Sequence, residues 1–219
     1  MFSDSANFRS RRAQLVAKVE AHLGPFDPLH LRALLDVPRE RFVRASDLAD
    51  SQEDVPLALD DTGHATISAP HAYLLSFRLL DLKPGDSLVE LGTGSGYGAA
   101  LASYIVGEQG GVRTFEIDPT LAAWATRLLG DRPNVAVSWM DAMQSTARWG
   151  THRQKVVGTF AVATIPPDWI SGLAVGGRLA IPVGPVAADQ RLILVERRPD
   201  RAVFSDHGGV RYVSNRSLR

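Results

Sequence analysis

One segment, Leu88-Val-Glu-Leu-Gly-Thr-Gly-Ser-Gly-Tyr-Gly98, constrains the fold more than any other part of the chain. A short apolar run enters a glycine-rich turn, and a helical pattern leaves it. Glycine lets the backbone turn sharply and lets a ligand approach the main chain. The helix behind the turn offers N–H groups with no partner inside the helix. In an open parallel sheet, ligands sit in the crevice at such a strand end.

The flanking sequence repeats the same alternation. Ser87–Leu91, Val112–Glu116, Val135–Trp139, Val156–Val162, Arg178–Ile181 and Arg191–Glu196 read as strands. Gly96–Val106, Pro119–Leu129 and Pro167–Leu173 read as helices. Units of this length predict an α/β fold with a doubly wound parallel sheet covered on both faces. Ala202–Ser205 and Val210–Val213 read as short strands of an antiparallel edge. Upstream, Leu15, Val19 and Leu23 fall four apart within a helix over Asn7–Leu23, which Gly24 and Pro25 stop. A second helix fits Pro28–Leu35, and a proline-started turn fits Val37–Phe42. Ala49–Gly63 carries Asp50, Glu53, Asp54, Asp60 and Asp61 with no Lys or Arg. It reads as a solvated surface connection or as a substrate-facing lid. The expected division is a helical region with an acidic loop over 1–64 and the sheet domain over 65–219, as one continuous unit.

Composition narrows the function. The 219 residues are 45% hydrophobic and 22% charged, enough for a real core without covalent staples. There is no cysteine, so a disulfide scaffold, a thiolate nucleophile and a Cys-ligated metal are excluded. No metal site is expected. Lys plus Arg equals 24, and Asp plus Glu equals 24. A nucleic-acid-binding chain would carry a basic surplus, so no nucleic-acid partner is expected. Met1–Arg12 is polar with three arginines, unlike a signal peptide, and no apolar run approaches the roughly 20 residues of a membrane span. The expectation is a cytoplasmic protein, without a membrane partner and monomeric in the simplest case.

The ligand of the glycine turn can be narrowed further. Gly94-x-Gly96-x-x-Ala99, with Glu116 beyond it, satisfies a loose dinucleotide pattern. Two residues argue against a pyrophosphate. Glu90 stands ahead of the loop, where a carboxylate would repel phosphate but could hold a cationic amine. Asp141 follows the next strand. Acids at three successive strand ends, Glu90, Glu116 and Asp141, suit a ligand with a sulfonium, an ammonium, a ribose diol and an adenine amine. That ligand is S-adenosylmethionine. Taken singly, each acid also reads as a solvent-facing residue or a helix cap. Asp118 before Pro119 reads as an N-cap.

Thr66-Ile-Ser-Ala-Pro-His71 and Leu82-Lys-Pro-Gly-Asp-Ser-Leu-Val-Glu-Leu-Gly-Thr-Gly-Ser-Gly-Tyr97 resemble the protein-L-isoaspartate O-methyltransferase family. Val37-Pro-Arg-Glu-Arg-Phe42, Gly176-Gly-Arg-Leu-Ala-Ile-Pro-Val-Gly184 and Val210-Arg-Tyr-Val213 look like further signatures of that family. The resemblance implies a Rossmann-like class I methyltransferase fold with an N-terminal helical addition. It implies that Ser68 is the active-site serine and that Ala65, Thr66 and Ile67 border the cofactor. Glu90, Gly92, Thr93, Gly94, Ser95 and Gly96 would form the cofactor loop. Glu116 with Ile117 would hold the ribose, and Asp141 with Ala142 would face the adenine. S-adenosylhomocysteine would be the product. The implied partner is a peptide or protein carrying a reactive aspartate or isoaspartate.

The implied chemistry is consistent with the residues. A carboxylate is ionised at neutral pH, so attack on a sulfonium methyl needs alignment and exclusion of water rather than a strong base. Other readings stand beside this one. Ser68 or Thr66 could cap the helix that starts near Pro70. His71 reads as a packed or surface histidine. Pro182-Val-Gly184 could be a strand end and turn. Trp139, Trp149 and Trp169 read as core or interface residues. A specialised relative that esterifies one aspartate of a ribosomally made peptide would share the chemistry, and a non-catalytic binding module would share the fold. The chain departs from the family pattern at Leu59-Asp-Asp-Thr-Gly63, Asp141-Ala142, Arg153-Gln154 and Ser214-Asn215. The added acids at the mouth would disfavour an anionic substrate, unless they face solvent or bind basic groups.

Overall fold

The computed structural model describes residues 2–144, 155–185, 189–214 and 216. Trp149, Arg153, Gln154 and Asn215 lie outside them. Six helices are described: α1 (Phe2–Leu23), α2 (Pro28–Asp36), α3 (Pro70–Leu80), α4 (Tyr97–Val106), α5 (Pro119–Leu128) and α6 (Pro167–Ser171). The strands are β1 (Leu57–Ala58), β2 (Thr66–Ile67), β3 (Ser87–Leu91), β4 (Gly111–Glu116), β5 (Val135–Trp139), β6 (Lys155–Gly158), β7 (Arg178–Val183), β8 (Gln190–Arg197) and β9 (Ala202–Val210).

Seven of these strands form one sheet in the order β5-β4-β3-β6-β7-β8-β9. The pairs from β5 to β7 are parallel, and β8 and β9 close the edge antiparallel. β3 lies between β4 and β6, so the chain leaves it first toward one edge and later toward the other. That is the topological switch point of a doubly wound sheet, and it fixes where a crevice opens.

Strand periodicity divides the core. Leu88 packs in the layer of α1 to α5, whereas Val89 and Leu91 pack with Trp169 on the other face. Trp169 is fully buried. Leu15 and Val19 of α1 and Leu34 of α2 join the cluster that holds Leu101 of α4, so the N-terminal helices seal one face of the sheet. Local chemistry sets the helix starts. Asp27 accepts from Leu29 N at 2.7 Å ahead of Pro28, and Asp118 accepts from Thr120 N and Leu121 N ahead of Pro119.

Several elements differ from the sequence expectation. α1 begins five residues earlier, at Phe2. The strand expected over Val156–Val162 stops at Gly158, and Ala161 and Val162 make only isolated bridges to Ser214 and Val183. The two short C-terminal strands are replaced by one continuous β9, and Arg211–Val213 lie outside any strand. A register shift between Arg191 and Ile193 absorbs the irregularity that Gly208 and Gly209 suggest. Trp139 is 69% exposed rather than core, because β5 is an edge strand.

The acidic segment is folded onto the body by a buried cation. Arg39 is fully buried. Its Nη1 donates to Ser51 O and Glu53 O, each at 3.0 Å. Its Nη2 donates to Val55 O at 2.8 Å and Ser68 O at 3.1 Å. The guanidinium also stands 6.0 Å from the Tyr97 ring centre. Among the described residues, no helix is long and apolar enough to cross a membrane.

Arg39→Met keeps the volume and removes four charge-assisted donors from buried carbonyls. The expected loss is about 3 kcal/mol or more in urea unfolding, from the cost of unsatisfied buried acceptors. An unchanged midpoint would show that those carbonyls find other donors.

Candidate active site

The cleft lies at the C-terminal ends of β3, β4 and β5. Its empty space, open mouth included, is about 550 Å³. Gly92, Gly94 and Gly96 all have positive φ, at 94°, 56° and 94°. A Cβ on Gly92 would run into Thr159 Oγ1, and one on Gly94 would approach Leu59 Cδ1 to 3.0 Å. The turn therefore requires glycine for both conformation and space. Thr159 Oγ1 donates to Gly92 O at 2.5 Å, tying the turn to the end of β6.

Glu116 organises the loop. Its Oε2 accepts from Gly94 N at 2.7 Å, and its Oε1 accepts from Asp118 N at 3.0 Å. Each oxygen keeps a further lone pair for a ligand hydroxyl. Burial pushes the Glu116 carboxyl above its ordinary value, and the two backbone donors and Arg216 partly offset that.

Of the residues singled out from sequence, Ala65, Thr66, Gly92, Gly94, Glu116, Ile117, Asp141 and Ala142 line this cleft. Ile67, Glu90, Thr93, Ser95 and Gly96 do not line it; they form its backing. Glu90 shares the face of Leu88 by strand parity, which turns it inward beneath α4. A Cβ on Gly98 would collide with Glu90 Oε1, so the missing side chain makes room for the carboxyl. Thr114 Oγ1 donates to Glu90 Oε2 at 2.6 Å, and Thr114 Oγ1 and Thr93 Oγ1 are 2.6 Å apart. A buried chain thus runs from Glu90 to the glycine turn. Burial pushes the Glu90 carboxyl up to about 8, against the Thr114 hydrogen bond and with help from Glu116.

Ser68 opens onto a second, neighbouring groove of about 1810 Å³ of open space. Thr66 lines both cavities. Ser68 does not cap α3; the cap is Ala69, with no side-chain hydrogen bond. Ser68 N donates to Tyr73 OH at 3.2 Å, and Ser68 O accepts from Arg39. Tyr73 also makes a side-chain hydrogen bond with Ser68. The groove's other wall comes from Gln190–Leu192 of β8 and the stretch Gly209–Tyr212.

Several cleft residues were not among the candidate site residues of the sequence. Phe115, Leu121, Met140, Thr159, Phe160, Val213, Ser214 and Arg216 also line it. Phe115 could have been inferred as the neighbour of Glu116. The rest reach the cleft only through the tertiary fold. Arg216 bridges Asp118 at 2.8 Å and Asp60 at 2.6 Å. Most acids of the 49–63 segment are engaged in such pairs. Asp61 pairs with Arg44 at 2.6 Å, Glu53 lies 3.9 Å from Arg11, and Asp54 meets His71 at 2.9 Å. The added acids are therefore not a free anionic rim.

Glu90 links stability to pH. Its carboxyl binds a proton more tightly in the folded chain than in the unfolded one. The stability from that proton is complete below the ordinary glutamate range and is lost as pH rises through about 8. In the ligand-free protein, Glu90→Gln should flatten the fall in stability between about pH 5 and pH 8, followed by urea unfolding at each pH. An unaltered pH profile would place the responsible group elsewhere.

The comparisons place the chain in a family. The family model described as protein-L-isoaspartate(D-aspartate) O-methyltransferase matches residues 11–218. The protein-L-isoaspartate O-methyltransferase of Protochlamydia amoebophila is 35% identical over 202 residues, covering 91% of this chain and 93% of its own. That of Methanococcus aeolicus is 37% identical over 185 residues, covering 83% of each chain. A solved protein-L-isoaspartate O-methyltransferase superposes with a TM-score of 0.82 at 25% identity, over 93% of this chain and 65% of its own. A Plasmodium falciparum structure of the same description, in complex with S-adenosyl-L-homocysteine, superposes with a TM-score of 0.80 at 20% identity, over 93% of this chain and 97% of its own. The Rossmann-like sheet is thus that of a class I methyltransferase, and the chain belongs to the protein-L-isoaspartate(D-aspartate) O-methyltransferase family of enzymes.

Proposed function

We propose that this enzyme esterifies the α-carboxylate of L-isoaspartyl residues in peptides and proteins, with Ser68 at the reaction centre. S-adenosylmethionine is the cofactor of the family. It supplies an electrophilic methyl on a sulfonium. The single observation that carries the reading is the junction at Thr66, where the glycine-loop cleft meets the open groove that contains Ser68.

The residues fit the cofactor. Glu116 is held by two backbone donors and keeps lone pairs for a ribose diol. The main chain of Gly92 and Gly94 is bare toward the cleft. Asp141, Ala142, Ile117 and Leu121 supply one acid and an apolar wall for a purine. Glu90 steadies this arrangement from behind, through Thr114 and Thr93.

Ser68 would act as a donor. An ionised carboxylate is already a nucleophile, so the hydroxyl orients it and keeps water out of the line of attack. The backbone of Ser68 is fixed from both sides, by Arg39 and by Tyr73. One carboxylate oxygen would take the methyl as the methyl–sulfur bond breaks, the neutral thioether S-adenosylhomocysteine would leave, and no proton would be transferred. The backbone nitrogen of the following residue then attacks the ester, methanol leaves, and the succinimide hydrolyses in part to normal aspartate. The reading of a dedicated ribosomal peptide as substrate drew on the departures from the family pattern, among them the acids Asp60 and Asp61. Their pairing with Arg216 and Arg44 favours the general repair substrate.

Two matched peptides test this, one with isoaspartate and one with aspartate, incubated with S-adenosylmethionine and followed by mass spectrometry. A methyl ester or succinimide on the isoaspartyl peptide alone is expected. Methylation of neither, with the cofactor bound, would move the substrate to a dedicated peptide. Ser68→Ala should lower kcat at least about tenfold, the worth of one lost hydrogen bond to a charged group, while calorimetry shows cofactor affinity retained. Unchanged kcat would make Ser68 a bystander.

A further inference from the structure

His71 stands in the first turn of α3 and lines the same groove as Ser68. Its ring is fixed in an unusual way for a surface residue. Nδ1 lies 2.9 Å from both carboxylate oxygens of Asp54, and His71 N donates to Asp54 Oδ1 at 3.0 Å. Asp54 itself comes from the segment that Arg39 anchors, since Arg39 binds Glu53 O and Val55 O on either side of it. Burial opposes ionisation of Asp54, but hydrogen bonds from His71 outweigh it and hold the carboxyl below its ordinary value. Among the described residues, Nε2 has no hydrogen-bond partner. A carboxylate at Nδ1 holds the ring in one orientation and leaves Nε2 as the nitrogen open to a ligand.

Other charges face this ring. Asp54 and, behind it, the Arg39 guanidinium lie on its own side. Tyr73 follows on the same helix. Across the groove stand Asp189, Arg191 and Arg211. Arg191 is engaged by Asp206 at 2.8 Å, whereas Arg211 has no ion-pair partner among the described residues. The groove thus offers an anion the Arg211 guanidinium and the His71 ring. Of these, only His71 is held by a second side chain.

We infer that His71 is a substrate-binding residue whose Nε2–H holds the non-attacking oxygen of the acceptor carboxylate, with Asp54 as the positioning residue that orients it. This rests on the isoaspartyl reading above and deepens it. Two donors, Ser68 and His71, would then fix the plane of the carboxylate, and the second oxygen would stay free for the methyl. No proton is transferred in this role.

The test compares kcat and KM of the full chain, His71→Gln and Asp54→Asn at one pH. It uses one isoaspartyl peptide with neutral flanks and one with acidic flanks, and calorimetry follows cofactor affinity. His71→Gln should raise KM about tenfold on both peptides and leave cofactor affinity unchanged. Asp54→Asn should raise KM in the same direction. An unchanged KM in His71→Gln would overturn the assignment. So would a loss of kcat and of cofactor affinity with KM kept, which marks a structural role. So would an effect confined to the acidic-flank peptide, which would place His71 on a neighbouring residue instead. No turnover of either peptide by the unaltered protein, with cofactor bound, would instead overturn the isoaspartyl reading and this assignment together.

Discussion

The Arg39 guanidinium ties together the two halves of the active region. It is buried with a full charge, which is tolerable only because four carbonyl oxygens surround it. Three of those carbonyls belong to the acidic segment and the fourth to Ser68. One side chain therefore sets the position of the loop and of the serine relative to it. Through the same loop it sets Asp54, and through Asp54 it sets His71. The ring of Tyr97 beside it belongs to α4, the helix that the glycine turn starts. The Ser68 groove and the glycine-turn cleft are thus referenced to a common point.

The cofactor side has its own support. Glu116 receives the N–H of Gly94, and Thr159 holds the carbonyl of Gly92, so the turn is held from β4 on one side and from β6 on the other. A loop with three left-handed residues has little intrinsic preference for one shape. Its definition comes from these neighbours. The hydroxyl chain from Glu90 stiffens the turn from below, without reaching the cleft.

Much of this could be read from the sequence, and the remainder has identifiable causes. Period-two runs and capped helices located the sheet elements from Ser87 onward, because each is set by nearby residues. The cap role of Asp118 was legible for the same reason. Glu90 sits at the ligand end of β3, although strand parity with Leu88 turns its side chain inward; position at a strand end does not say which face the ligand uses. Trp139 was read by hydrophobicity alone, which carries no information on which strand lies at the sheet edge. Arg39 sat inside a quoted signature with nothing to mark it as buried. Arg216 and Thr159 depend on chain topology, and no local pattern announces them.

The bridge from Arg216 to Asp60 joins positions 156 residues apart, and the arm to Asp118 spans 98. Only the folded sheet brings such distant segments together. Parting two partly exposed ion pairs costs far less than disturbing the buried strands. The wall of the cleft can therefore open as a local event, and nucleoside exchange need not involve any loosening of the sheet.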